Sequence, residues 1–404
     1  MYCKDFHKRL RTTYVSFISP LYFNAMKFFK SYLIYALSLF SFNSCENEDN
    51  VKEMRFISVA NEFGTYNILN LSDYVTDIKY IPLETNDSVI LAEIKTLVYE
   101  NGKIMIIDRG SFNCWVFDNE GKLYCKIDDR GQGPNEYIGI SDMFVYENLI
   151  YLRASPHMLL IYDLNGKFIR KINSPKNMSE GLMIRNFQPL KSNIFFMDMA
   201  TYELVYNPKA ALIEVEGDSS KIVKEFIDPI KVEKDIQAYL VSEVAIPYHY
   251  KGNVRLYRRL NCDTIYMIGE DFEMKEAFIF NFGKYKPTMD FLIPSKNRRD
   301  RYNSPITVDI ILESPQYLFI NFNFFSNAPE PFPYWTYIGQ EKYQVPNQTV
   351  LGVFNKNTGK LNLMKQPIKG ELGFCNDVDG GLVIWPQYIS TNDEIVTSIS
   401  ADAF

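Results

Sequence analysis

One segment of the chain repeats itself 45 residues later. VYENGKIMIID (Val98 to Asp108) followed by CWVFDNEGKLYCKI (Cys114 to Ile127) matches VYENLIYLRA (Val145 to Ala154) followed by LIYDLNGKFIRKI (Leu160 to Ile172), with Asp118-Asn-Glu-Gly-Lys aligned on Asp163-Leu-Asn-Gly-Lys. Each copy reads as four short runs of strand character separated by turns. Gly121 and Gly166 supply the positive φ that tight hairpin turns need. A four-stranded unit recurring every ~40–45 residues is the signature of a β-propeller blade. Such a unit cannot bury its faces alone, so the repeat dictates a ring of stacked sheets.

Weaker copies continue along the chain. FQPLKSNIFFMD (Phe187 to Asp198) repeats strand, polar turn and strand; CDTIYMI (Cys262 to Ile268) with EAFIFNFGK (Glu276 to Lys284) gives an outer pair. YLFINFNFF (Tyr317 to Phe325) with VLGVFNKNTGKLNLM (Val350 to Met364) gives a fifth unit, and NDVDGGLVIWP (Asn376 to Pro386) opens a sixth. The expected fold is all-β: a six-bladed β-propeller of four-stranded antiparallel blades over residues 61–404, at about 60 residues per blade. The proline- and aromatic-rich stretch from Ser326 to Gln348 reads as a long loop on one face. Aromatic residues make up 15% of the chain, Tyr 28 and Phe 30 against Trp 3, which suits half-buried pleated strands. A ring must also cover its first and last edges. DIKYIPLE (Asp77 to Glu84) precedes the first blade, while the last has few residues for four strands, so an N-terminal strand, Ile78 to Leu83, is expected to close it beside Glu394 to Ile399.

The N-terminus has the grammar of an export signal. Lys27 and Lys30 precede the apolar run Tyr32 to Phe40, then SFNSC ends at Cys45. That run is shorter than the ~20 apolar residues a spanning helix needs, but suits a signal peptide. Residues 1–45 therefore read as a signal peptide with a lipobox cysteine, Cys45, although Phe42 and Asn43 replace the usual aliphatic and small residues; Met26, opening MKFF, is an alternative start. The acidic ENEDN that follows begins a flexible tether over 46–60. The expected location is the outer membrane, facing the periplasm or the cell surface, with membrane contact only through the lipid. Net charge is -6 and the pI is about 5.4, without a long basic run beyond the leader, so nucleic acid is not an expected partner.

Taken in order, IKYIPLETNDSVILAEI (Ile78 to Ile94), RGQGPNEY (Arg130 to Tyr137), CDTIYMI and NDVDGGLVIWP resemble the six-bladed, NHL-like β-propeller lipoproteins of glycan-degrading gut bacteria. The resemblance covers nearly the whole mature chain and implies the fold. It implies no particular activity, because propellers host unrelated chemistries.

Function is expected where blades are joined. RGQGPNEY lies between an outer strand and the next inner one, on the face where propellers bind ligands, so Arg130, Gln132, Asn135, Glu136 and Tyr137 are ligand-binding candidates. Pairing of Arg130 and Glu136 with each other or with nearby backbone explains the same residues. In NDVDGGLVIWP, Asn376, Asp377 and Asp379 are candidates at the channel mouth, where carboxylates suit a cation such as Ca²⁺; an Asx-stabilised turn is the competing reading. Trp385 either stacks on a sugar or wedges into a blade. No metal or cofactor is expected beyond that weak case for Ca²⁺. Three histidines, His7, His157 and His249, give little for triad or metal chemistry, and G-x-S-x-G, HExxH and Walker motifs are absent. Arginines in RLYRRL (Arg255 to Leu260) and NRRDR (Asn297 to Arg301) read as solvated faces or as carboxylate binders. Two functions compete: a non-catalytic, lipid-anchored propeller binding glycan, peptide or an envelope protein, and a carboxylate- or Ca²⁺-dependent glycan hydrolase or lyase. Finally, a four-residue turn at Asp118 to Gly121 would set Cys114 opposite Cys125, which suggests a disulfide.

Overall fold

The computed structural model describes residues 13–20, 55–155, 158–178, 182–201, 209–227, 245–258, 262–287, 304–338 and 341–400. Cys45, the apolar leader run, His157 and the arginines of 297–301 lie outside them. Four strands precede the repeat: β1 (Thr13–Pro20), β2 (Phe56–Ile57), β3 (Tyr66–Asn67) and β4 (Val75–Pro82). The first blade is β5 (Ile94–Glu100), β6 (Lys103–Asp108), β7 (Cys114–Phe117) and β8 (Leu123–Ile127), antiparallel in that order. The second is β9 (Asp142–Tyr146), β10 (Leu149–Ser155), β11 (Met158–Asp163) and β12 (Phe168–Asn173). The third is β13 (Leu182–Lys191), β14 (Ile194–Thr201), β15 (Lys209–Glu216) and β16 (Ser219–Ile227). The fourth is β17 (Ala245–Tyr250), β18 (Asn253–Arg258), β19 (Thr264–Ile268) and β20 (Met274–Phe280). The fifth uses β21 (Thr307–Glu313) and β22 (Tyr317–Asn323), then a hairpin, β23 (Phe332–Ile338) with β24 (Glu341–Asn347), before β25 (Thr349–Asn355) and β26 (Lys360–Met364) complete the blade. The stretch expected as a loop is thus largely a hairpin insertion.

The repeat turns form for the reason their sequence suggests. Asp118 accepts from the backbone N–H of Glu120 and Lys122, and Asp163 does the same for Asn165 and Lys167. Gly121 sits at φ +82°, and a Cβ there would collide with the Pro82 carbonyl.

Strand alternation then builds the core. On each second strand, neighbouring residues serve opposite wedges. Met105 and Ile107 pack toward the second blade while Ile106 packs the other way; Ile150 and Tyr151, Phe195 and Phe196, and Leu256 and Tyr257 divide in the same manner. Each fully buried side chain of this size contributes about 1.5–3 kcal/mol.

The sequence points to six blades of consecutive strands; the ring holds five, and a sheet of different make fills the remaining gap. Its order is β27 (Tyr388–Ile389), β28 (Ile395–Ser400), β1 and β4, drawn from both ends of the chain. Ile395 packs against the fifth blade and Val396 against the first, so the run of wedges returns to its start. An N-terminal strand does close the last sheet, but the expected direct pairing of Ile78 to Leu83 with β28 gives way to an intervening strand: Val15 lies opposite Ser398 on one side and Ile81 on the other. With β27, β28 and β4 alone, the sheet would have only three strands, and β1 pairs with the facing edges of both β28 and β4. Residues 376–386 carry no strand, only a bridge between Phe374 and Ile384.

Two further expectations are corrected. Residues 56–60, assigned to the tether, belong to the ring: β2 adds in parallel to β20, β3 adds to β26, and Ile57 and Val59 are fully buried. A turn one residue longer than expected, with Phe117 opposite Leu123, and a β-bulge between Val116 and Phe117 together move Cys114 opposite Ile127 and Cys125 opposite Val116, and both are free thiols. Among the described residues, no helix is long and apolar enough to cross a membrane, and no group of His, Cys, Asp and Glu is arranged to hold a metal.

Candidate functional site

The ring has two ends. At one, each inner strand begins and each second strand finishes, and here the repeat places a polar residue at an equivalent register position in every blade. Asp108 lies opposite Ile94, Arg153 opposite Asp142, Asp198 opposite Asn186, Arg258 opposite Ala245, and Asn323 opposite Thr307. The first three are spaced by 45 residues.

These positions are not equally served. Asp108 is buried and accepts from the N–H groups of Ala92 (2.8 Å), Glu93 (2.9 Å) and Ser111 (2.7 Å). Burial works to raise its pKa, but those bonds outweigh it and hold the carboxyl below its ordinary value. Asp198, only 2% exposed, has no partner for Oδ2. Burial pushes its pKa up to about 6, against the opposing pull of Arg258, Arg185 and Arg153. Alternation explains the meeting: Asp198 shares a strand face with Phe196 and Arg258 shares one with Leu256, and those two apolar residues pack together between the third and fourth blades.

The second blade adds a cross-strand pair, Asp142 with Arg153, on the face that Phe144 and Tyr151 turn toward the third blade. Burial raises Asp142, partly offset by the Met143 N–H (2.9 Å), Arg153 and Lys95. Burial lowers Arg153, whose Nε finds no partner. Arg185 occupies a bulge in β13 between Ile184 and Asn186. Lys95, lowered by burial, donates to the Ile140 carbonyl at 3.1 Å. Half-buried cations therefore act on each carboxylate: Arg153 and Lys95 on Asp142, set between the second and third blades, and Arg258, Arg185 and Arg153 on Asp198, set between the third and fourth.

The opposite end is occupied by contacts between blades. Tyr146 of the second blade meets His249 of the fourth edge to face, centroids 5.8 Å apart. Burial lowers the His249 pKa. Glu313, fully enclosed, accepts from Tyr248 (3.0 Å), Arg255 (3.1 Å) and Lys356 (2.9 Å). Glu100 accepts from Tyr388 (2.8 Å) and Thr391, tying the first blade to the composite sheet.

The residues singled out in sequence are mostly structural. Arg130 is exposed; it donates to the Ser111 carbonyl at 3.1 Å and lies over the Phe112 ring, which also faces Lys95, so it borders the charged end. Glu136 accepts from the Gly133 N–H at 2.8 Å, and a Cβ at Gly131 would collide with its carboxylate. Gln132 and Asn135 are exposed. Tyr137 is 1% exposed and donates to the Ile127 carbonyl, so it belongs to the core. Asp377 caps the turn at Leu71–Asp73 through Ser72, which also holds its carboxyl below the ordinary value. Asp379 accepts from the Gly381 N–H, and Asn376 is buried beside Tyr80. Trp385 is a wedge: Nε1 donates to Asn321 at 2.7 Å and the ring packs on Phe319 and Phe374. Glu136, Asp377 and Asp379 are each bound by nearby backbone rather than gathered. Of the arginines in 255–260, Arg255 is consumed by Glu313, whereas Arg258 reaches the charged end.

A family model described as "Domain of unknown function (DUF4934)" matches residues 54–404. The chain belongs to the DUF4934 family. That match leaves β1 outside the shared region. Among solved structures, a Bacteroides fragilis protein provisionally named as exported is 20% identical, with 76% of this chain aligned to 79% of that one and a TM-score of 0.54, which shows a common fold. A DUF4221 family member from Bacteroides vulgatus is 13% identical over 79% of this chain and 95% of its own, with a TM-score of 0.47. No curated protein matches the chain in sequence.

Proposed function

We propose that this DUF4934 member is an exported, lipid-anchored propeller of the cell envelope that binds its ligand without turnover at the charged end of the ring, with β27, β28 and β4 supplying its sixth blade. The observation that carries the reading is the buried Asp198 carboxylate with an unpartnered oxygen beneath half-buried arginines. Buried polar groups are nearly always satisfied, and a cluster left open at a channel mouth is an ordinary place for a ligand. Against catalysis stands the dispersal of Glu136, Asp377 and Asp379: Glu136 and Asp379 accept from N–H groups of their own loops, and Asp377 from Ser72 of a different turn. The one described histidine is buried at the other end.

Export rests on the leader sequence, the position of Cys45 in a loose lipobox and the provisional name of the fragilis relative. It has a topological consequence. A signal peptide inserts with its N-terminus in the cytoplasm, so residues 13–20 stay on the far side of the membrane from the propeller and leave with the leader. The exported molecule then lacks β1, in keeping with a family match that starts at residue 54.

Two measurements test this. The mass of the envelope-extracted protein should correspond to a diacylated or triacylated chain beginning at Cys45, and Cys45→Ala should release a folded protein from the outer membrane. A native N-terminus that retains residues 13–20 would overturn export by this leader. A screen of glycans and peptides should give saturable binding without products; product release would favour the hydrolase.

A further inference from the structure

The sheet that closes the ring has at its centre a strand that export removes. β1 runs antiparallel to both of its neighbours, and from Tyr14 to Ile18 each of its residues has a partner in β28 on one side and in β4 on the other. β28 and β4 therefore run in the same direction, two strand spacings or about 9–10 Å apart. Once residues 13–20 leave with the leader, two strand edges with unpaired N–H and C=O groups face each other across a slot.

The walls of that slot are held without β1. β28 pairs with β27, and the N–H and hydroxyl of its Ser398 both donate to Gln387 (3.0 and 2.8 Å). The segment leading into β4 is tied to the loop after the fifth blade: the Leu71 N–H donates to the Cys375 carbonyl and the Cys375 N–H to that of Leu69, each at 2.9 Å. Beyond β4, Glu84 donates its N–H to the Gly121 carbonyl (2.7 Å) and accepts from the Leu123 N–H (2.9 Å), so the first blade holds that end. Direct closure of β4 onto β28 would have to break these ties. The slot is also apolar on both faces. Ile395 and Ile78 stand level across it and pack toward the fifth blade, while Val396 and Ile81 pack toward the first.

We propose that the exported propeller takes a strand of a partner envelope protein into this slot: an extended, uncharged segment of five or more residues, rich in β-branched and aromatic side chains and antiparallel to both β28 and β4. Backbone pairing on two sides supplies the affinity, and the apolar faces select the side chains. TYVSFISP, which lies there in the full chain, has that composition; the acidic tether that begins ENEDN does not. The slot exists only if the chain is exported as proposed above, and the charged end has no part in it.

The probe is a labelled synthetic peptide, TYVSFISP, titrated by fluorescence polarisation into the mature chain extracted from the envelope and into the full chain produced without export. The mature chain should bind it saturably. The full chain should bind it about tenfold or more weakly, because its own β1 competes at high effective concentration. A Ser16→Pro peptide loses a ladder donor and should bind the mature chain about tenfold or more weakly, as should a peptide with Asp for Val15 and Phe17, the register positions beside Ile81 and Val396. Hydrogen exchange should slow on binding in 75–82 and 395–400 and stay unchanged in 149–155 of the second blade. No saturable binding by the mature chain, equal binding by the full chain, or no loss with the proline peptide would overturn the slot. So would equal protection of 75–82 and 395–400 in the peptide-free mature and full chains, the mark of edges that close on each other or on a second copy. The mass of the extracted chain separates the two readings: one that begins at Cys45 and ignores the peptide sinks the slot alone, whereas one that retains residues 13–20 sinks export by this leader and the slot with it.

Discussion

The two ends of the ring use buried charge for opposite purposes. At the closed end, Glu313 is met by Arg255, Lys356 and Tyr248, and Lys356 is met in turn by the Ser314 carbonyl (2.7 Å) and Tyr250 (3.2 Å). These residues come from the fourth and fifth blades, so the network acts as a latch between sheets. Burial lowers the Lys356 pKa, and Glu313 acts to raise it. At the open end, charges of both signs also converge from several blades, yet Asp198 keeps a bare oxygen and Arg153 a bare N–H. The same chemistry inside one fold holds blades together where it is satisfied. Where it is left incomplete, its unmet groups are the ones on which the binding role proposed above rests.

The largest expected effect tests the latch. Glu313→Ala leaves Arg255 and Lys356 buried without their carboxylate, a change that typically costs about 3–5 kcal/mol. Chemical denaturation should show that loss, whereas Asp198→Asn, which removes a buried charge with an unmet oxygen, should leave stability at neutral pH no lower than that of the parent and up to a few kcal/mol higher. If Asp198→Asn proves the more damaging, the two ends have been assigned the wrong way round.

Next in size is a pH dependence that belongs to the open end. In the folded chain Asp198 holds its proton up to about pH 6. In the unfolded chain it releases it near ~3.9. Between those values the folded state binds more protons, so its stability is greatest below about pH 4 and declines as pH rises through 6, by up to about 3 kcal/mol. Asp198→Asn should remove that slope. Melting curves that decline equally in parent and variant would assign the slope elsewhere.

A smaller effect compares two positions of the same register. Asp108 stands one repeat before Arg153 and two before Asp198, but its carboxylate is fully engaged and its folded pKa is lowered. Its contribution is therefore present above the unfolded value and is lost as pH falls through the folded one, the reverse of Asp198. Asp108→Asn should cost about 1–3 kcal/mol at neutral pH and make acid unfolding shallower. A loss no larger than that of Asp198→Asn would show that hydrogen bonding does not separate the two positions.

What the sequence makes legible follows from how local the chemistry is. The D-x-x-G-K turns state their own hydrogen bonds, and with them the blade period, so the propeller can be read directly. The bulge at Val116 and Phe117 has no such signature; it adds one residue to a turn already one residue longer than expected, with Phe117 opposite Leu123, and together they displace the Cys114 and Cys125 register by two residues. Ring closure is ambiguous for a different reason. Thr13 to Pro20 has the pattern of a strand and the position of a leader, and only three-dimensional pairing reveals the first. The charged end escapes notice because Arg153 and Asp198 are single charges within apolar strands and Arg258 lies in an arginine cluster that reads equally as a solvated face, whereas the conspicuous polar loops at 130–137 and 376–379 spend their groups on their own backbone and on neighbouring turns. One signal was available: the 45-residue spacing of Asp108, Arg153 and Asp198, three charges where a repeat of this kind needs none.

The smallest expected effect falls on the most visible residue. Arg130 is exposed and contributes a single bond to the Ser111 carbonyl and a contact with Phe112, so Arg130→Ala should change stability by no more than about 0.5 kcal/mol. Its bearing on the open end is geometric. Phe112 carries Arg130 on one contact and Lys95 on another, which puts Arg130 at the border of the cluster without a direct place in it. The affinity of a glycan or peptide found to bind in the screen should therefore drop far less in Arg130→Ala than in Arg153→Gln, whose side chain bears on both carboxylates of the cluster. An Arg130→Ala loss as large as that of Arg153→Gln would move the centre of the site outward onto the loop between the first two blades, and the open end would then be a loop surface rather than a channel mouth.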